Sequence, residues 1–342
     1  MRLIQFQIPG AGRRVGLVDG DTFIDLTELN PEWTHIYKIF IEARKAGKTL
    51  DQYISDSDFP SDAAALSYTD LLSKRPGDDG GWILPPIDHP DPAHCIITGT
   101  GLTHLGSTSQ RNNMHKVEDQ DKTDSQKMFE MGLENGKPEP GIRGIQPEWF
   151  YKGTGKILRG HNDFLDIPSF TEDGGEEPEI VGCYIIGDDE IPYRVGFAKA
   201  NEWSDHAMER INYLWLAPSK LRTCAVGPEL ITDESFSDIR GICRIYRGAE
   251  VIYDSDELLT GEENMSHSLA NLEDHHFKNL QFRVPGDMHI HFFGTMKLSF
   301  GSRGPLQDGD RIEIRFHGMG EPLVNYVRRI SPSFNPVTVR KG

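Results

Sequence analysis

EEPEIVGCYIIGDDEIPYRVGFAKANEWSDH, residues 176–206, sets acidic residues at both ends of two apolar, β-rich runs. The runs IVGCYIIG and YRVGFAKAN flank a turn-forming Gly187-Asp188-Asp189-Glu190 and read as a β-hairpin. Successive side chains of an extended strand alternate between faces, so Glu177 and Glu179 project to one side while Pro178 faces the other. The second arm ends in Asn201-Glu202-Trp203-Ser204-Asp205, which returns a third carboxylate, Glu202, toward that pair. Carboxylates that share a pocket repel one another unless a divalent cation or a proton sits between their oxygens. An all-oxygen ligand set favours Mg, Mn or Ca over Zn or Cu. A lone E-x-E more often marks a solvated strand face of an acidic chain, so the rest of the sequence has to carry the metal reading.

With 342 residues, 37% of them hydrophobic, and 35 glycines, the chain has enough apolar material for one large domain or two of ordinary size. A formal net charge of −17 opposes binding to nucleic-acid phosphates or an anionic membrane surface, so neither is an expected partner. The opening MRLIQFQIPGAGRR lacks an apolar h-region, and no segment approaches the roughly 20 apolar residues that span a bilayer, which makes the cytoplasm the expected compartment. Cys95, Cys183, Cys224 and Cys243 are far apart and form no C-x-x-C pair, so they are read as reduced, buried thiols.

Residues 1–75 carry short strand-like runs, LIQFQI and RRVGLVDGDTFIDL, and a helical pattern from Ile36 to Ala46. They read as a small N-terminal α+β domain. Residues 76–93 concentrate Pro, Gly and Asp and read as a linker. Residues 94–342 are chiefly β, giving an α+β, mostly β fold overall. Within them 111–147 reads as an insertion or lid holding one helix, which starts near Asp124 or Ser125 and ends at Gly136. Ser204 is the expected N-cap of a helix running towards Leu216.

Several motifs fail on spacing. Gly99-Thr100-Gly101 is followed next by Gly106, so the G-x-G-x-x-G fingerprint of dinucleotide binding is absent. Gly153-Thr154-Gly155-Lys156 lacks the flanking residues of a phosphate loop and reads as a turn. No G-x-S-x-G elbow is present. His289 and His291 share a strand face without a third ligand at a recognisable spacing, so a hydrogen-bonded core role is expected. His275 and His276, beside Glu273 and Asp274, are read as solvated surface.

The order of GTGLTHLG (99–106), EWFYKGTGKILRG (148–160), EEPEIVGCYIIG (176–187), VGFAKANEWSDH (195–206), KLRTCAVGPELI (220–231), GEENMSHSL (261–269), FFGTMKLSFG (292–301) and LQDGDRIEIRFHGMGEPLVNYV (306–327) resembles the fumarylacetoacetate hydrolase superfamily. Within it the chain is most similar to the dehydratases of 2-keto-3-deoxypentonates. The resemblance implies a mixed β-roll or β-sandwich catalytic domain, a Mg ion (Mn being an alternative) held by Glu177, Glu179 and Glu202, and a homodimer or homotetramer. By position it implies that Lys152 and Thr295 meet the acid end of the substrate, and that Lys220 matches the lysine before the family's G-P block, at a shorter spacing. In hydrolytic and decarboxylating members a His and a Glu that activate water occupy the positions held here by Ser107 and Gln110. Ser107 is therefore a candidate substrate contact and no base, and His104 is the histidine that could substitute.

A 2-keto acid can chelate Mg, which stabilises the enolate formed when a C3 proton is lost; departure of the C4 hydroxyl then completes a β-elimination. The expected activity is that of a hydro-lyase of pentose catabolism, turning a 2-keto-3-deoxypentonate into 2-oxoglutarate semialdehyde, with Lys220, Lys152 or His206 transferring the proton. The substrate's C4 stereochemistry, L-arabinonate or D-xylonate type, stays open. The alternatives are a C–C bond hydrolase or decarboxylase acting on an acylpyruvate or oxaloacetate through His104, and a non-catalytic binding protein of the same fold.

Overall fold

The computed structural model describes residues 1–57, 64–106, 123–232, 235–331 and 336–342. The decisive stretch forms the antiparallel pair Pro178–Ile186 and Pro192–Asn201, with Pro178 opposite Asn201 and Glu179 opposite Ala200. Every residue of Pro178–Ile186 is buried. Both faces of the strand are covered, which is why its sequence is a continuous apolar run and not an alternation. On one face Ile180, Tyr184 and Phe197 pack with Ile245, Ile312 and Phe316. On the other, Val181, Cys183 and Ala198 pack with Leu3, Ile36 and Phe40.

Among the described residues nineteen strands form two sheets, one of thirteen strands and one of six. The fold is α+β and mostly β. In the larger sheet the hairpin stands between Met288–Phe292, antiparallel to its first arm, and Leu230–Ile231, beside its second. Cys95–Gly101 runs parallel to Met288–Phe292, and Glu148–Thr154 completes that side. On the far side Arg2–Ile8 pairs with Leu230–Ile231 and leads through Gly12–Asp19 and Thr22–Asp25 to Ala65–Ser67, so the N-terminal strands extend the same sheet. The segment read as a linker contributes a short strand, Trp82–Ile83, against Phe6 and Gln7. The smaller sheet centres on Ile239–Arg247, Arg311–Phe316 and Leu323–Arg329, and its apolar side covers the hairpin.

The helix Ile36–Lys45 buries Ile36, Ile39, Phe40 and Ala43, a spacing that keeps one face on the sheet. The helix Asp124–Asn135 is capped by Thr123, which exchanges hydrogen bonds with Gln126 in a capping box. The expectation of a helix from Ser204 to Leu216 is corrected. Asp205 caps a short helix, His206–Ile211, by accepting from the Met208 amide, while Ser204 is drawn into a β-bridge with Gly175 and its hydroxyl into the site below. The chain breaks at Asn212 and resumes as Leu216–Lys220. Among the described residues no helix is long and apolar enough to cross a membrane. All four cysteines are buried free thiols.

The reading of His275 and His276 as surface is also corrected. Both are buried, because the helix Leu269–Phe277 turns them against the sheet. Trp149 Nε1 donates to His276 Nδ1 at 3.3 Å, and His276 Nε2 lies 3.0 Å from His289 Nδ1. His291 Nδ1 lies 2.8 Å from the Thr98 hydroxyl, and its ring stacks on His276 with centroids 4.4 Å apart. Stacked rings do not converge their nitrogens on one point, so the cluster belongs to the core and is not a ligand set. Burial pushes His289 and His291 down to about 3 and His276 well below its ordinary value, the neighbouring histidines adding to the effect at His291 and His276.

These three rings stay neutral in the folded chain at a pH where the unfolded chain takes up protons. Their contribution to stability is therefore complete above about pH 6.5 and is lost as the pH falls, for His289 and His291 by about 1.4 kcal/mol per pH unit each until about pH 3. Urea unfolding between pH 7 and pH 4.5 is expected to show this slope, and His291→Leu to reduce it by the equivalent of about one proton. An unchanged slope in that variant would show that the acid sensitivity arises elsewhere.

Candidate metal centre

Glu177, Glu179 and Glu202 meet at the open end of the hairpin, with one oxygen of each within 4.8 Å of the others. Local pairing brings them together. The Glu202 amide donates to the Glu177 carbonyl at 2.9 Å, and the Glu177 amide donates to the Asn201 side chain at 3.3 Å. Glu177 and Glu179 are 6% and 1% exposed and Glu202 is fully buried, so solvent does little to screen their repulsion.

Two lysines enter from other elements. Lys220, the last residue of Leu216–Lys220, donates to Glu177 Oε1 at 2.5 Å, to Glu202 Oε2 at 2.6 Å and to Ser204 Oγ at 2.9 Å. Lys152, from Glu148–Thr154, donates to Glu202 Oε1 and also to the carbonyls of Trp203 and Lys220 at 3.0 and 3.1 Å. His206 Nε2 lies 3.0 Å from Glu177 Oε1. Burial alone would raise the Glu177 carboxyl, yet Lys220 and His206 hold it well below the usual range. Burial likewise opposes the Lys220 ammonium, but Glu177, Glu202 and Glu209 hold its pKa well above the ordinary value.

Glu179 is different. Its Oε2 accepts the Gly294 amide at 2.7 Å, while its Oε1 is buried with no hydrogen-bond partner. Burial, then the charges of Glu202 and Glu177, push its carboxyl well above the usual range. Gly294 can present its amide here because it has φ +96° and because a Cβ would come within 2.2 Å of the Thr103 hydroxyl.

The Thr295 hydroxyl is 3.0 Å from the Pro178 carbonyl and 2.9 Å from that of Lys297, bracing the backbone between Glu177 and Glu179. His104 is buried between the hydroxyls of Thr103 and Thr260, at 2.9 and 3.2 Å. Ser107 and Gln110 lie outside the described residues.

The sequence reading gave no role to several residues that build this site. Ser204 links Lys220 to Glu202, donating to Glu202 Oε1 at 3.0 Å. Glu209 lies 3.8 Å from Lys220 Nζ and accepts the Ser219 hydroxyl at 2.6 Å. Glu176 accepts the Ser299 amide and hydroxyl, both at 2.7 Å, and Arg303 donates to that hydroxyl at 2.6 Å. Glu148 is buried, accepts the Tyr213 hydroxyl, and shares a strand face with Phe150 and Lys152. Only the acidity of 172–179 hinted at any of this, and contacts such as Tyr213 with Glu148 and Ser299 with Glu176 join distant segments.

No protein-family model and no curated protein matches the chain. Solved structures do. A hexagonal crystal form of 2-keto-3-deoxyarabinonate dehydratase matches with a TM-score of 0.69 at 20% identity, covering 97% of this chain and 100% of that one. The 2-keto-3-deoxy-D-arabinonate dehydratase complexed with magnesium and 2,5-dioxopentanoate matches at 0.68, with the same identity and coverage. Fumarylacetoacetate hydrolase from the psychrophilic Exiguobacterium antarcticum matches at 0.59 and 15% identity, over 96% and 100% of the two chains.

The residues fit a hard divalent ion on their own chemistry: three carboxylates converge, and one buried oxygen, Glu179 Oε1, lacks any partner. Binding to the folded state alone raises the melting temperature. Mg or Mn at about 100 times Kd is therefore expected to stabilise the protein by about 2.7 kcal/mol, and Glu179→Gln to abolish that gain while still folding. A full gain in the variant would remove Glu179 from the ligand set. Matched over nearly its whole length to members of that superfamily, the chain has the fumarylacetoacetate hydrolase fold.

Proposed function

We propose that the protein is a Mg-dependent hydro-lyase that removes water from a 2-keto-3-deoxypentonate to give 2-oxoglutarate semialdehyde. The observation that carries this reading is the buried triad Glu177, Glu179 and Glu202 with two lysine ammonium groups inside hydrogen-bond distance of it. When bound, the ion supplies a positive centre for the carboxylate and keto oxygens of a 2-keto acid. Lys152 is held by three acceptors and so keeps Glu202 in place. The Lys220 ammonium lies beside the open end of the hairpin and can protonate a departing C4 hydroxyl once its carboxylate partners release it. Glu148, on the strand face shared with Lys152, is a carboxylate suited to accept the C3 proton. Transfer of that proton, loss of the hydroxyl as water and tautomerisation of the enol balance the reaction without an added co-reactant.

The fold alone does not choose this chemistry, because both a dehydratase and a hydrolase share it. The choice rests on the candidate base for water. Hydrolysis would assign that role to His104, whose ring nitrogens lie against the Thr103 and Thr260 hydroxyls. Burial also pushes that imidazole down to about 3.

Both C4 epimers of 2-keto-3-deoxypentonate should be assayed with Mg and with a chelator, coupling semialdehyde to a dehydrogenase and following pyruvate from an acylpyruvate and from oxaloacetate in parallel. Semialdehyde formation that stops on chelation is expected, with Glu177→Gln lowering kcat by about 10³-fold. Pyruvate release without dehydration would assign C–C cleavage instead, and metal binding without turnover would leave a binding protein.

A further inference from the structure

Lys220 behaves as a cation that the chain itself supplies to the triad. Its ammonium has three N–H bonds, and three acceptors take them: Glu177 Oε1, Glu202 Oε2 and Ser204 Oγ, at 2.5, 2.6 and 2.9 Å. The side chain is 1% exposed and sits 4.9 Å above the Phe150 ring, so water does not share the job. Two of the three carboxylates that converge on the site are therefore engaged by a primary amine.

Glu202 is where the conflict is sharpest. Its Oε1 accepts Lys152 and the Ser204 hydroxyl, and its Oε2 accepts Lys220. Oε1 is filled by two donors, so an ion would take the remaining lone pair of Oε2, directly beside the Lys220 ammonium, while Lys152 is tied down by two backbone carbonyls as well. Lys220 has an alternative: Glu209 Oε1 lies 3.8 Å from its Nζ, held in position by the Ser219 hydroxyl. A dication and an ammonium repel at this separation in a buried site. Resting on the reading that the triad holds a metal, we propose that the Lys220 ammonium competes with the divalent ion for Glu177 and Glu202, and that metal loading shifts it towards Glu209. Metal affinity is thereby set below what three bare carboxylates would give, and the amine is released to face substrate only once the metal is in place. Lys220, the proposed proton donor to the C4 hydroxyl, thus also orders metal before substrate.

The test is Mn²⁺ binding without substrate, read by the EPR signal of the free ion. Lys220→Ala is expected to bind Mn²⁺ about tenfold more tightly than the unmodified protein, within the usual range of coupling between sites. Ethylammonium added to that variant should occupy the amine's place and weaken Mn²⁺ binding in proportion to its concentration, with no effect on the unmodified protein. Glu209→Gln, which removes the alternative partner, should weaken Mn²⁺ binding severalfold and serves if Lys220→Ala does not fold. Equal or weaker binding by folded Lys220→Ala, no effect of ethylammonium, or unchanged binding by Glu209→Gln would overturn the competition. Unmodified protein that binds no Mn²⁺ would overturn the metal reading itself.

Discussion

Three carboxylates buried within 4.8 Å of one another are the constraint around which this molecule is arranged. Isolated, such a group would protonate or pull apart, since charge in a low-dielectric interior is costly. The hairpin forces the approach by pairing Pro178 with Asn201, and the core on both of its faces prevents the strands from separating. Lys152 and Lys220 offset part of the charge, and each arrives on a separate element. Glu179 is left with a single backbone amide, so the balance is completed only by a proton or a cation.

What could be read in advance follows the distance over which the causes act. The hairpin, the shared face of Glu177 and Glu179, and the helix at 36–45 were legible because they depend on periods of two or of three to four residues. The return of Glu202 was legible because the turn between the arms is short. Ser204 was misread as a cap because the hydroxyl that suits an N-cap also suits a buried contact with Lys220, and only the Gly175 bridge decides between them. His275 and His276 were misread because their acidic neighbours suggested water, whereas Trp149 and His289, distant in sequence, bury His276. The ladder of Glu176, Ser299 and Arg303 had no sequence signal beyond the acidity around Glu176, since Ser299 and Arg303 reach it only in the folded chain.

The same fold carries dehydratase and hydrolase chemistries in its structural neighbours, so architecture limits the chemistry without selecting it. Selection depends on the groups presented to the bound acid. Here the direct neighbours of the triad are two ammonium groups, a histidine, a hydroxyl and a backbone amide.

The central claim, that Glu177, Glu179 and Glu202 hold one divalent ion, is tested most directly by anomalous diffraction from crystals soaked in Mn²⁺. The account predicts a single strong peak ligated by one or more oxygens from each of the three glutamates. A peak elsewhere, or none at saturating Mn²⁺, would contradict it.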